Sequence, residues 1–99
     1  MKLLLVCYAG MSTSMLAQRL EDEGAARGID VEVEAVPMTE LEANLEGVDA
    51  VLLGPQVRFA EKDARAAVGD DVPLMVIAPQ DFGMMRADNV LDQVSALIG

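Results

Sequence analysis

The stretch Leu3-Leu4-Leu5-Val6-Cys7-Tyr8-Ala9-Gly10-Met11-Ser12-Thr13-Ser14 decides the fold of this chain. The five consecutive apolar residues 3–7 are typical of a strand that is covered on both faces. Gly10 then allows a tight loop, and the three hydroxyl residues that follow are candidate N-caps of a helix. The sequence therefore predicts strand, loop and helix, with Cys7 at the carboxyl end of the strand.

The predicted loop has the composition of an anion site. The backbone N–H groups of a glycine loop and the unpaired N–H groups at the start of a helix can point at the same bound anion. Phosphate is the expected occupant, and Cys7 would lie at its edge as a nucleophile. The alternative is that Cys7 is a small buried core residue, which is the common role of a lone cysteine.

The composition is that of a globular chain with one domain, residues 1–99. Apolar residues make up 53% of the sequence and charged residues 24%. The apolar runs are far shorter than the roughly 20 residues that span a bilayer, and the first residues lack the layout of a signal peptide. These features predict a cytoplasmic protein without membrane insertion.

The residue counts exclude several kinds of chemistry. The chain has no histidine and one cysteine, so an internal disulfide and a Cys-His pair are impossible, and we predict neither a metal site nor a cofactor. Seven basic and 17 acidic residues give a net charge of −10 at pH 7. Such a charge repels nucleic acid and anionic membranes.

The rest of the chain alternates between strand and helix patterns. Strands are predicted at 29–35, 48–53 and 72–78, and helices at 11–27, 39–47, 57–68 and from 88 or 89 onward. The third of these helices in chain order is 57–68. The second has a capping box at Thr39 and Glu42, the last is capped by Asp88 or Asn89, and residues 79–87 before it are a loop or a single turn. This predicts a three-layer, doubly wound α/β fold with a four-stranded parallel sheet and helices on both faces. If the acidic second strand is an edge, the order is 2-1-3-4. Ligands would then bind between the carboxyl ends of the first and third strands, where Cys7 lies.

Two motifs carry a resemblance to a known family. The segments 7–16 (CYAGMSTSML) and 51–56 (VLLGPQ) resemble the IIB component of the bacterial phosphoenolpyruvate-dependent sugar phosphotransferase system, in its lactose/cellobiose (N,N'-diacetylchitobiose) type. The similarity spans essentially the whole chain. It implies a phosphotransferase relay, in which a cysteine takes a phosphoryl group from a phosphohistidine of the IIA subunit. The same cysteine then gives it to a sugar held by the membrane subunit IIC.

The resemblance also implies roles for individual residues. Cys7 would be the phosphocysteine, and a partner would supply the imidazole that this chain lacks. This chain departs from the family pattern at Tyr8, where the family is expected to have a small residue such as serine. The transported sugar would be a β-linked disaccharide such as cellobiose, chitobiose or lactose, and no residue of this chain selects among them. The phosphate-binding loop would comprise Tyr8, Ala9, Gly10, Met11, Ser12, Thr13 and Ser14.

Aromatic and methionine residues gather in the loops at the predicted carboxyl-end face. We predict that they form a docking surface for IIA and IIC, because flexible thioethers suit a surface that fits two partners in turn. The alternative is that they cover the top of the core. A basic face formed by Arg58, Lys62 and Arg65 is predicted to be solvated, with Arg58 a candidate for steering an acidic partner. The predicted interface residues are Met38, Gln56, Arg58, Phe59, Phe82, Met84 and Met85.

Two other functions use a cysteine in this setting. Low-molecular-weight tyrosine phosphatases resemble the chain in having a phosphate-cradling cysteine loop, but they have an arginine six residues after the cysteine, and Thr13 stands there in this chain. Asp81 would be the candidate general acid of such a phosphohydrolase. A thiol sensor is the third possibility, although the chain has no second cysteine to resolve an oxidised one.

Overall fold

A sheet of four parallel strands forms the middle layer of the protein. Its strands are β1 (Lys2–Val6), β2 (Glu32–Val36), β3 (Ala50–Leu53) and β4 (Leu74–Val76), in the spatial order β2-β1-β3-β4. This confirms the predicted parallel sheet and its order. The structure is a computed structural model that describes residues 1–7 and 11–98, without the side chains of Met11 and Ser12.

Helices cover both faces of the sheet. They are α1 (Met11–Ala26), α2 (Glu61–Val68), α3 (Pro79–Gly83) and α4 (Ala87–Ile98). Leu3 and Leu5 of β1 pack in one core cluster with residues of α1 and α4, while Leu4 and Val6 pack in a second cluster with Ala64 of α2. This alternation of side chains along β1 confirms the three layers. Within the described residues, no helix has the length and apolar character needed to cross a membrane.

The strand β1 is central, and its end is fixed from both sides. Val6 pairs with Val36 of β2 and with Leu53 of β3. Just beyond the strand, the N–H of Cys7 donates to the Val36 carbonyl at 3.2 Å, and the N–H of Gly54 donates to the Val6 carbonyl at 2.7 Å. Three strand ends therefore converge on Cys7.

The strand β2 is the acidic edge that the sequence predicts. The N–H of Glu32 donates inward to the Met1 carbonyl, so the N–H of the next residue, Val33, points away from β1. A carboxylate oxygen of Glu21, on α1, accepts a hydrogen bond from that outward N–H at 2.9 Å. This bond occupies a donor that another chain could otherwise use for edge-to-edge pairing.

The second strand begins later than predicted, at Glu32 rather than at 29. Residues 28 and 29 close the end of α1, because the N–H of Gly28 donates to the Ala25 carbonyl and the N–H of Ile29 donates to the Gly24 carbonyl. Gly28 has a φ of 75° in this turn, a conformation that glycine adopts without steric cost.

The prediction of a helix over residues 39–47 is wrong. Two 3₁₀ segments, Met38–Glu40 and Glu42–Asn44, occupy its place, and neither has a side-chain capping hydrogen bond. Thr39 lies inside the first segment, so it cannot cap a helix that starts after it. Between the segments, the buried Leu41 inserts into the second core cluster, and tight turns on either side allow this insertion.

Other boundaries also differ from the predictions. The segment Pro55–Ala60 is 3₁₀ with an irregular Val57, so the α-helix that follows β3 begins only at Glu61. The strand β4 is shorter than 72–78 because it pairs only with residues 51–53 of β3. The segment after it, predicted as a loop or a single turn, contains the one-turn helix α3, and α4 begins at Ala87, one or two residues before its predicted caps.

Candidate functional site

Cys7 and the first turn of α1 are joined by a hydrogen bond. The Sγ atom of Cys7 is bonded to Oγ1 of Thr13, and either atom can be the donor. Both side chains are buried, with 2% of Cys7 and 4% of Thr13 exposed. The sulfur therefore lies against the amino end of a 16-residue helix, where the helix dipole favours negative charge.

Thr13 and Ser14 do not lie at the cap position of α1 as predicted. The helix already begins at Met11, so Ser12, Thr13 and Ser14 all lie inside its first turn. Thr13 faces the sulfur, whereas Ser14 is exposed and lines a groove between α1 and β2. Their consecutive positions on a helix explain this difference, since neighbouring residues point about 100° apart.

Part of the predicted phosphate loop lies outside the described residues. These positions are Tyr8, Ala9 and Gly10, together with the side chains of Met11 and Ser12. Their contacts with phosphate remain predictions from the sequence.

Gly54 lies directly against Cys7 from the other side of the site. A Cβ atom placed on Gly54 would be 2.9 Å from Cys7 Cβ and 2.7 Å from Oε1 of Gln56. Carbon atoms do not approach so closely, so only glycine fits between β3 and the cysteine here. Sequence reasoning missed this role, although Gly54 stands in the segment 51–56 that carries the family resemblance.

The predicted docking residues divide into exposed and buried ones. Phe59 and Met84 are 74% and 65% exposed, and Gln56 and Arg58 are also exposed. Gln56, Arg58 and Phe59 follow β3 directly, so they lie at the same edge of the sheet as Cys7, whereas Met84 follows α3. Met38 and Met85 are partly buried against the two core clusters.

The prediction that Phe82 belongs to an exposed docking surface is wrong. Only 5% of it is exposed, and it packs in the same core cluster as Ile77 and Leu91. The reason is that residues 79–83 form α3 rather than an open loop, and this helix turns Phe82 toward the core.

The basic face has the solvated character that the sequence predicts. Arg58, Lys62 and Arg65 are all exposed. Arg65 forms an ion pair with Glu61 one helical turn earlier, at 3.0 Å. Exposed pairs of this kind contribute little stability.

Asp81 is a buried carboxylate held by two amides. Its two oxygens accept hydrogen bonds from Nδ2 of Asn89 at 3.0 Å and from Nε2 of Gln93 at 3.1 Å. These bonds, the one from Asn89 first, hold the pKa of Asp81 below its usual value of 3.8. The interaction ties α3 to α4. Sequence reasoning assigned Asn89 to a cap and missed that Asn89 and Gln93, four residues apart, share one helix face.

We expect Asp81→Asn to lower the free energy of unfolding at neutral pH by about 1–3 kcal/mol, because one amide donor then loses a charged acceptor. A carboxyl whose pKa is lowered by folding stabilises the protein above its unfolded pKa and loses this effect as pH falls through the folded value. The difference between Asp81→Asn and the parent protein should therefore shrink below pH 3.8, the usual value for the group.

Urea unfolding at a series of pH values measures this difference. Asp70→Asn, at an exposed position outside the helices and strands, is the matched control and should change stability little. A difference that stayed constant from neutral to strongly acidic pH would contradict the assignment to the Asp81 carboxylate.

Fold and site together define a class of protein. A doubly wound sheet binds its ligand at the carboxyl ends of the strands where the strand order reverses, here between β1 and β3. Cys7 lies at this point, between the first turn of α1 and Gly54. The chain is thus a doubly wound α/β protein with a cysteine at the topological switch point.

Comparison with known proteins identifies the family. Residues 2–93 match the family model of the phosphotransferase system (PTS) lactose/cellobiose-specific IIB subunit. The chain is 42% identical over 93 residues to the galactose-specific EIIB component of Lactococcus lactis subsp. cremoris, covering 88% of this chain and 86% of that protein. Identity and coverage are the same for the cellobiose-specific EIIB component of Lactococcus lactis subsp. lactis.

A solved structure is also similar. The cellobiose-specific IIB component from Borrelia burgdorferi has a TM-score of 0.80 and 37% identity, covering 99% of this chain and 91% of that one. The chain therefore belongs to the PTS lactose/cellobiose-specific IIB family. It is a sugar-specific IIB component of the phosphotransferase system, and such components are phosphotransferase subunits in sugar transport.

Proposed function

We propose that Cys7 accepts a phosphoryl group from a phosphohistidine of the IIA subunit and passes it to a sugar held by IIC. The chain would act in the cytoplasm and meet the membrane only through IIC. The observation that carries this proposal is the position of the Cys7 sulfur at the end of β1, bonded to Thr13 at the start of α1. A phosphoryl group on that sulfur would lie at a helix amino terminus, where anions are favoured.

The chemistry needs no acid-base group from this chain. The sulfur attacks phosphorus, the S–P bond forms, the N–P bond breaks, and its electron pair stays on the imidazole with the proton that the thiol gives up. In the second step a sugar hydroxyl attacks, the O–P bond forms, the S–P bond breaks, and the hydroxyl proton restores the thiol. Both displacements depend on positioning and charge stabilisation.

Thr13 would hold the sulfur in place for both steps. Its buried hydroxyl can donate to the sulfur when the thiol proton is gone, and a hydrogen bond to a charged acceptor is stronger than one to a neutral acceptor. The burial of Cys7 also keeps bulk water away from the reacting atom, which favours transfer over hydrolysis.

The transported sugar is not selected by this chain in our proposal. The two relatives that share 42% identity with it are named for galactose and for cellobiose. A third, from Bacillus subtilis, is 29% identical and named for oligo-β-mannosides. A β-linked disaccharide such as cellobiose fits the family, and IIC would make the choice.

Two features speak against the phosphohydrolase alternative. Thr13 occupies the position of the phosphatase arginine, and its hydroxyl is already bonded to the sulfur. Asp81, the candidate general acid, has a lowered pKa and both its oxygens accept amide hydrogen bonds, so it is ionised and has no proton to give at neutral pH.

Intact-mass analysis tests the proposal. The purified chain is incubated with phosphoenolpyruvate, the general phosphotransferase enzymes and IIA, and we expect one phosphoryl group per chain that maps to Cys7. Release of inorganic phosphate from an aryl phosphate, without a phosphoprotein, would favour the phosphohydrolase instead.

We further propose that Phe59 and Met84 contact the partner subunits. Large apolar side chains that are mostly exposed often mark interaction sites, and Phe59 follows β3 at the edge of the sheet where Cys7 lies, while Met84 follows α3. We expect the double variant Phe59→Ala with Met84→Ala to raise KM for phosphorylated IIA about tenfold, with kcat nearly unchanged.

Leu97→Ala is the matched control for this double variant. Leu97 is an exposed apolar residue near the end of α4, and Asp92 of this helix pairs with Arg27 at the opposite end of α1 from Cys7, so the substitution should leave KM unchanged. Steady-state transfer rates at varied concentrations of phosphorylated IIA measure KM and kcat for the double variant and for Leu97→Ala. An unchanged KM in the Phe59 and Met84 variant would remove these residues from the interface.

A further inference from the structure

The side chain of Gln56 folds back onto the cysteine site. Gln56 is the second residue of the 3₁₀ segment Pro55–Ala60, which follows β3 directly. Its Oε1 lies 2.7 Å from the point where a Gly54 Cβ would be, and Cys7 Cβ lies 2.9 Å from the same point. The amide and the cysteine thus flank the space that Gly54 leaves empty. The distance between Gln56 Oε1 and Cys7 Cβ cannot exceed the sum of these two distances.

The position of the Gln56 amide is not explained by a hydrogen bond within the described part of the chain. Within residues 1–7 and 11–98, its side chain takes part in no hydrogen bond. The residue is exposed, so an extended conformation in solvent was open to it. A primary amide offers two N–H donors and one acceptor oxygen, and rotation about its last bond presents either end to the site.

We propose that Gln56 is a phosphoryl-contacting residue, whose amide N–H donates to an oxygen of the phosphoryl group on Cys7 during transfer. This inference rests on the proposed function and changes the role of Gln56, which the sequence placed in the partner interface. Thr13 holds the sulfur from the side of α1. Gln56 approaches from the side of β3, so Thr13 would contact the sulfur and Gln56 the group on it, from two different elements.

The donation stabilises charge without entering the covalent step. When sulfur attacks phosphorus, the phosphoryl oxygens carry the negative charge of a loose transition state, so an N–H aimed at them where the group passes to the sulfur lowers the barrier to transfer. The same donor cannot be supplied by glutamate, whose carboxylate has no N–H at neutral pH and repels the phosphoryl group.

Single-turnover transfer from phosphorylated IIA to the chain tests this inference, with Gln56→Met and Gln56→Glu as variants. Methionine keeps the length of the side chain and removes the donors. We expect Gln56→Met to be slower than the parent protein by about 10- to 100-fold, the loss for one hydrogen bond to a charged group, and Gln56→Glu to be slower still. Gln80→Met, an exposed glutamine at the start of α3, is the matched control and should transfer at the parent rate.

A second measurement uses the parent protein and is independent of any effect on folding. We expect the NMR signals of the Gln56 side-chain amide to shift when Cys7 is phosphorylated, while those of Gln80 stay in place. Amide signals that do not move, or a Gln56→Met rate within twofold of the parent rate, would overturn the inference. If the parent protein accepts no phosphoryl group at all, the proposed function fails instead, so the two failures are distinguishable.

Discussion

Cys7→Ser will form no stable phosphoprotein and will support no sugar phosphorylation, with a loss in transfer rate of more than about 10³-fold. Serine matches cysteine in shape, and its hydroxyl can keep the hydrogen bond to Thr13. It is a much weaker nucleophile at neutral pH, because the hydroxyl holds its proton far more tightly than a thiol does. The substitution therefore removes the chemistry of the site and leaves its geometry.

The Cys7→Ser variant distinguishes a cysteine that only fills the core from one that carries the phosphoryl group. If Cys7 only fills the core, serine will cost some stability and leave phosphorylation of the chain unchanged. If Cys7 carries the phosphoryl group, phosphorylation disappears while the thermal unfolding midpoint changes little. Intact mass after incubation with phosphoenolpyruvate, the general enzymes and IIA measures the first property, and a melting curve the second. A phosphoryl group found on the Cys7→Ser chain would contradict the assignment.

The hydrogen bond between Cys7 and Thr13 explains why serine is the informative replacement for Cys7. Both the sulfur and the hydroxyl are buried, so the pair forms one unit in which either partner orients the other. The Cys7→Ser result is interpretable because it keeps that unit intact.

The layers and strand order could be predicted because they depend on patterns that extend over many residues. The apolar run of β1 and the acidic alternation of β2 each fix one position in the sheet, and right-handed crossovers then fix the rest. The place of Cys7 follows from the same reasoning, since the end of β1 and the switch point coincide.

Side-chain direction in short segments could not be predicted in this way. Phe82 was expected at the surface, but one turn of α3 rotates it into the core. The amides of Asn89 and Gln93 point at Asp81 only because α3 packs beside the start of α4. Thr39 and Glu42 match a capping box, yet the burial of Leu41 between two 3₁₀ segments decides the backbone. In each case a tertiary contact overrides a local preference.

The contact between Gly54 and Cys7 is also a tertiary contact that could not be predicted, because it joins residues that follow two neighbouring strands. The register that places Val6 opposite Leu53 brings the residues after them together. The backbone of Gly54 is extended, with a φ of −63°, so the requirement for glycine here is one of space and not of backbone conformation. Any side chain at this position would have to displace the cysteine or the Gln56 amide.

Gly54→Ala is expected to slow phosphoryl transfer about 10²-fold, the order of effect of a 1 Å misplacement of a reacting group. The added methyl would lie 2.9 Å from Cys7 Cβ and 2.7 Å from Gln56 Oε1. The Gln56 side chain can swing away, but Cys7 Cβ is attached to a backbone that β2 and β3 hold in place. Relief must therefore come from a shift of the cysteine, at a cost in stability of about 1–3 kcal/mol.

Gly83→Ala is the matched control for this prediction, because a Cβ on Gly83 meets no atom within 4 Å in a helix at the same edge of the sheet. Single-turnover transfer from phosphorylated IIA measures the rate of each variant, and urea unfolding measures its stability. Adding Gln56→Ala to Gly54→Ala separates the two close contacts. If the Cys7 contact is the important one, the double variant recovers neither rate nor stability relative to Gly54→Ala, since removing the amide leaves the clash with the cysteine in place. A Gly54→Ala chain that transfers as fast as Gly83→Ala would show that the sulfur does not depend on the close approach of β3.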